Sequence, residues 1–210
     1  MRAWFWLKAV GTTAFMWLFF VAYFHLLRHP VRPAFEMPVT AIDRWIDFQP
    51  WALWPYLSLW VYVAIPAGLL ISFRALLHYG LWVGGLCAAG LACFYLWPTS
   101  VPHVEAADAS HAGFALLRGV DAVGNACPSL HVATATYSML WLRRLLTELA
   151  LPRWTRTLNV AWFALIVWST LAIKQHVWWD LVAGVMLALV FAWPSLRSRV
   201  GPRGGDIIAP

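Results

Sequence analysis

"AWFWLKAVGTTAFMWLFFVAYFHLL", residues 3–27, carries one charged side chain, Lys8, and is rich in Phe and Trp. About 20 apolar residues in a helix cross the hydrocarbon core of a bilayer. The run is longer than the apolar core of a cleaved leader and has no small-x-small site. It is therefore expected to stay attached as a first membrane helix. Further apolar runs fall at about 51–73, 80–97, 130–147, 158–173 and 177–194. The last two are short for full spans. The expected fold is all-α: a polytopic membrane protein, a bundle of about six transmembrane helices, in one domain over residues 1–210. Residues 195–210, with Arg197, Arg199, Arg203, glycines and prolines, read as a flexible basic tail.

Composition agrees with that reading. Hydrophobic residues make up 62% and charged residues 11% of the chain, with 16 Trp. A soluble domain carries about a quarter charged residues. The net charge of +6 comes from Lys and Arg placed between the apolar runs. With the N-terminus in the cytoplasm, most of these residues fall inside, as the positive-inside rule expects. No basic stripe with interleaved aromatics occurs, so nucleic acid is not an expected partner. Cys87, Cys93 and Cys127 show no metal-ligand spacing, and neither a disulfide nor a zinc site is expected.

Two stretches carry chemistry. In "IKQHVWWD", residues 173–180, a spacing of four puts His176 and Asp180 on one helix face. Asp180 is then expected to hold one ring nitrogen of His176 and leave the other free as a nucleophile or base. Ala183, Gly184 and Leu187 extend that face toward protein, with Val177, Trp178, Leu181, Val185 and Leu189 toward lipid. In "NACPSLHVATA", residues 125–135, Pro128 suits a first helical position. The amides of Ser129, Leu130 and His131 then lack helical partners and form an anion site. Ser129 adds a hydroxyl donor, and His131 can carry a proton. Thr134, Ala135 and Ser138 continue its face into the bundle. In the six-helix topology both stretches lie at the outer ends of their helices. Two histidines beside anion-binding groups suit phosphoryl transfer, one attacking phosphorus and one protonating the leaving oxygen. No metal and no cofactor are expected.

"CPSLH", residues 127–131, followed by "STLAIKQHVWWDLVAG", residues 169–184, resembles two motifs of the type 2 phosphatidic acid phosphatase superfamily. Those motifs read Pro-Ser-Gly-His and Ser-Arg-x5-His-x3-Asp. The closest resemblance is to the branch of inositol phosphorylceramide synthases, which the runs at 45–66 and 95–103 also resemble. It covers roughly residues 40–190. Three positions depart from the family pattern. The Lys-x6-Arg-Pro motif is missing, with "PTSVPH" in its place; Thr170 replaces an arginine; Leu130 replaces a glycine.

The resemblance implies a membrane bundle with its site at the outer face. His176 would form a phosphohistidine, Asp180 would orient it, and His131 would be the general acid. Ser129, Leu130, Lys174, His103 and Arg118 would stand at the substrate. The expected function is a metal-independent lipid phosphatase in a bacterial inner membrane, its site facing the periplasm, with a phosphorylated lipid and the surrounding membrane lipids as partners. Alternatives are a lipid phosphotransferase, an inactive lipid-phosphate-binding relative, and a haem protein using both histidines as ligands.

Overall fold

A computed structural model describes residues 4–102 and 124–198. The described residues are mostly helical. In order it forms α1 (Phe5–Arg28), β1 (Phe35–Glu36), α2 (Ala41–Trp45), a 3-10 turn (Pro50–Ala52), α3 (Leu53–Tyr62) and α4 (Ala64–Leu69). Then follow α5 (Phe73–Leu96), β2 (Thr99–Ser100), α6 (Leu130–Glu148), α7 (Arg153–Ala172) and α8 (Trp178–Arg197).

Four helical segments among the described residues are long and apolar enough to cross a membrane: Phe5–Arg28, Pro50–Leu69, Phe73–Leu96 and Trp178–Arg197. The six-span expectation is thus matched by composition at four places. α6 and α7 are 19 and 20 residues long. They are less apolar because Arg143, Arg144, Glu148, Arg153, Arg156 and Asn159 lie on them. The second segment breaks at Val63. Pro66 has no N–H to return to the Tyr62 carbonyl, so α3 ends there and α4 begins.

α6 is the hub. It packs on α3, α4, α5, α7 and α8, while α1 packs chiefly on α5. The core gathers around Tyr79, Phe94, Tyr137 and Trp141. Small side chains let the helices close: an added Cβ at Gly90 of α5 would lie 2.3 Å from Leu130 Cδ2. One end of the bundle is basic. Arg144 Nη1 donates to the Leu196 carbonyl at 3.0 Å and Arg156 Nη1 to Thr147 Oγ1 at 3.2 Å, tying the far ends of α6, α7 and α8 together. The histidines of interest sit at the other end.

The lipid-facing expectation for α8 needs a correction. Trp178 and Leu189 are exposed as expected, but Val177 and Leu181 are buried. Val177 packs on Met37, Val101 and Ala126, and Leu181 packs on Val132 and Leu171. The reason is that α8 is enclosed on two sides, by α6 and by the segment carrying α2. The start of α6 also differs. Ser129 is the N-cap and Pro128 precedes it, so proline does not occupy the first helical turn.

Candidate active site

The residues between α7 and α8 form a tight turn. α7 ends when Lys174 adopts φ 60°, in the left-handed region. The Thr170 carbonyl then accepts from Gln175 N at 3.1 Å and from His176 N at 3.2 Å. His176 therefore lies before α8, not on it. Asp180 is the third residue of α8, and its Oδ2 accepts from Val177 N at 3.0 Å. This capping bond turns the carboxylate back toward the imidazole, and His176 Nδ1 stands 3.4 Å from Asp180 Oδ2. The expected pair is close, but a helix start brings it together rather than a shared helix face. Asp180 is fully buried and the His176 side chain is 12% exposed.

The start of α6 meets this turn. Ser129 N donates to the Asp180 carbonyl at 3.0 Å, so that amide is occupied, contrary to the sequence expectation. Ser129 Oγ accepts from Val132 N at 3.2 Å. The close approach depends on Gly184, where an added Cβ would lie 2.5 Å from the Ser129 carbonyl oxygen. His131 stacks on Tyr56, with centroids 4.1 Å apart and planes 13° apart. The Tyr56 backbone holds one side of its ring, and Nε2 has no partner.

Among the described residues, three buried side-chain polar atoms lack a hydrogen-bond partner: His131 Nε2, His176 Nδ1 and Asp180 Oδ1. All three belong to this one place. His131 and His176 line the same cavity, of about 820 Å³, and are near enough for their charges to interact. Buried unpaired polar groups cost about 1–3 kcal/mol each, and their concentration at one point makes this the candidate site.

Not every expected residue joins them. Lys174 is a correction. Its Nζ donates to the carbonyls of Asp43, at 2.8 Å, and Ile46. The ammonium thus caps the C-terminal end of α2, where cations are favoured, and does not line the cavity. Burial lowers its pKa, opposed by the charges of Asp43 and Asp47. Leu130 lines the cavity and packs against Gly90. Thr170, at the place of the family's arginine, is fully buried with its hydroxyl on the Val167 carbonyl. His103 and Arg118, with His111, lie outside the described residues.

The sequence reading gave no role to Asp43. Its Oδ2 accepts from Thr40 N and Thr40 Oγ1, both at 2.7 Å, and its Oδ1 accepts from Trp178 N at 2.8 Å. One buried carboxylate thus caps both α2 and α8. The Thr40-x-x-Asp43 spacing is a capping-box signal that was available in the sequence. Nearby, Gln49 N donates to the Ala172 carbonyl at 2.9 Å. Residues 40–49 form a strap that holds the turn bearing His176. The Cys127 thiol, just before α6, is pushed up to about 12 by burial, then by the charge of Asp180.

Residues 93–201 match the family described as the PAP2 superfamily. The chain belongs to the PAP2 superfamily. The match covers α6, α7 and α8 and both histidines. Among curated proteins and solved structures, nothing matches the chain. PAP2 membership points to an enzyme of the phosphatase or phosphotransferase type with a phosphorylated, lipid-like substrate. The apolar helices are those of a membrane protein.

Proposed function

We propose that this PAP2 protein is an integral membrane lipid phosphatase that works through a phosphohistidine at His176. The observation that carries the reading is that two histidines, each with a buried, unpartnered ring nitrogen, line one cavity, with the Asp180 carboxylate behind His176. Asp180, beside Nδ1, favours the tautomer with the proton on Nδ1 and leaves Nε2 for attack. His176 Nε2 forms a bond to phosphorus while the bond from phosphorus to the lipid oxygen breaks. Protonated His131 gives its proton from Nε2 to that oxygen, which leaves as the alcohol. Water then attacks phosphorus, gives a proton back to His131, and frees inorganic phosphate and His176. The α6 N-terminus, with the Leu130 and His131 amides, supplies the positive end of a helix dipole for the phosphate. Protonated His131 adds positive charge beside it. Ser129 acts chiefly by holding α6 in place.

The clustering of Arg143, Arg144, Arg153 and Arg156 at the opposite end supports six crossings with that end in the cytoplasm. The histidines then face the outer side, the periplasm if the membrane is a bacterial inner membrane. The Pro-Ser-Leu-His and Lys-Gln-His forms favour one second reading: a phosphotransferase of the inositol phosphorylceramide synthase-like branch, in which an alcohol replaces water.

The test is a panel of phosphorylated lipids in detergent, following free phosphate and new phospholipid products together. His176→Ala is expected to abolish turnover, and His131→Asn to slow it by about 10²–10⁴-fold. Full activity in His176→Ala would refute the assignment. Product without free phosphate would select the transferase reading.

A further inference from the structure

The two imidazoles share one cavity, and the reaction needs them in different states. His176 must offer a free nitrogen to phosphorus. His131 must carry a proton on each ring nitrogen until the lipid oxygen takes one. Neighbouring positive charges repel strongly where water is scarce, so one proton has to be kept in the right place. Asp180 stands 3.4 Å from His176 and also draws that proton toward His176. Among the described residues, no Asp or Glu lines the cavity to draw it toward His131.

α3 supplies what a carboxylate does not. The Tyr56 ring lies flat on the His131 ring, with centroids 4.1 Å apart and planes 13° apart. The face of an aromatic ring is negative and attracts a cation above it, more strongly when water is excluded. Tyr56 also holds the imidazole at its edge. Nε2 is unpartnered, so the ring nitrogen on the Tyr56 backbone is Nδ1, whose N–H donates to the carbonyl. Both contacts favour the charged imidazolium, and the second aims Nε2 into the cavity. Tyr56 is itself held in place: it is buried and packs with Ala52, and with Ala172 and Ile173 at the end of α7. Trp60, one turn along α3, meets the His131 ring at 75° with centroids 6.5 Å apart. Lys8 and Tyr79 also line the cavity but are engaged elsewhere, Lys8 on the Gly68 and Leu70 carbonyls and Tyr79 on the Val63 carbonyl.

We propose that Tyr56 is the positioning residue of the general acid: its ring face and backbone carbonyl hold His131 as the imidazolium, with Nε2 aimed at the leaving oxygen. The inference rests on the reading of His131 as that acid. In the step itself His176 Nε2 bonds to phosphorus, and the lipid oxygen keeps the electron pair of its broken bond to phosphorus. The proton on His131 Nε2 passes to that oxygen. Without the ring face fewer molecules hold the proton, and the loss shows only where the leaving oxygen needs it.

The experiment compares two probes on the full-length protein in detergent: an alkyl phosphate, whose alkoxide leaves poorly, and a nitrophenyl phosphate with the same alkyl chain, whose phenolate leaves without a proton. kcat/KM is measured, since it reports the steps up to phosphorus transfer. Tyr56→Leu is expected to lose about tenfold or more on the alkyl probe and little on the nitrophenyl probe. Tyr56→Phe keeps the ring and is expected to stay within about threefold of wild type on both. Tyr56→Met is the second variant if leucine does not fold. Equal losses on the two probes, or a loss in Tyr56→Phe matching that in Tyr56→Leu, would overturn the proposal. His131→Asn separates the two failures. If it is selective for the alkyl probe and Tyr56→Leu is not, the general acid stands and the role of Tyr56 falls; if His131→Asn slows both probes alike, the general-acid reading itself falls. Should wild type turn over neither probe, nitrogen NMR of histidine-labelled protein decides. One fixed His131 tautomer with the proton on Nδ1 is expected in wild type and a mixture in Tyr56→Leu, and identical His131 signals in both would overturn the proposal.

Discussion

Gly184→Ala places one methyl group where α8 crosses the start of α6. The added carbon would lie 2.5 Å from the Ser129 carbonyl oxygen, short of an ordinary 3.4 Å contact by about 0.9 Å. It cannot slide aside, because Val132 Cβ and the Ala133 amide already stand at 3.3 and 3.4 Å. The obstacle is backbone, so the helices must separate. The bond from Ser129 N to the Asp180 carbonyl, 3.0 Å long, lies one turn away and would stretch toward about 3.9 Å, beyond hydrogen-bond range. Overpacking of this kind costs about 1–3 kcal/mol. Alanine's better helix propensity returns about 1 kcal/mol. The net loss is about 0–2 kcal/mol, or a fall in Tm of at most about 8 °C. Activity is far more sensitive, because a displacement near 1 Å can cost about 10²-fold. Phosphate release from a phosphorylated lipid, measured beside a thermal melt, reads both quantities. Gly84→Ala is the control, since its methyl would rest 3.7 Å from the Phe15 ring. Gly184→Ala protein that folds and keeps activity within about threefold of wild type would refute the claim that this contact sets the site's geometry.

Asp43→Asn weakens two caps at once, and at about 1 kcal/mol per cap it is expected to lower Tm by several degrees in a detergent melt. Lys174→Met is expected to lower turnover through the loosened strap with KM for the phosphorylated lipid little changed; a KM effect alone would return Lys174 to the phosphate. Burial depresses the Lys174 pKa, so the folded protein binds fewer protons than the unfolded chain between the lowered value and 10.5. Its contribution to stability is present above 10.5 and is lost as pH falls through the lowered value. Melting curves of the wild type should gain stability with rising pH across that window relative to Lys174→Met. Cys127 is expected to resist maleimide at pH 8 and to react faster in Asp180→Asn, since removing that charge eases formation of the thiolate; equal rates, followed by mass spectrometry, would contradict the placement of Asp180.

The amino-acid sequence determined the class of fold. Apolar runs with charges between them require helices in a non-aqueous solvent, and all six expected runs coincide with helical stretches, four of them apolar enough to span. It also singled out the two histidines and the aspartate as candidates, because ionisable groups are costly in apolar surroundings and stand out against them. Only tertiary structure decided how they meet. His176 and Asp180 are four residues apart, but it is the cap on Val177 that turns one toward the other. Lys174 looked like a phosphate ligand until packing brought the end of α2 beneath it. Gly184 and Gly90 show where helices nearly touch, and Asp43 reaches from residue 43 to residue 178. Spacing along a chain reports neighbours within a helix or a turn. Contacts between residues distant in the chain depend on which faces bury most apolar surface together, and no local pattern records that.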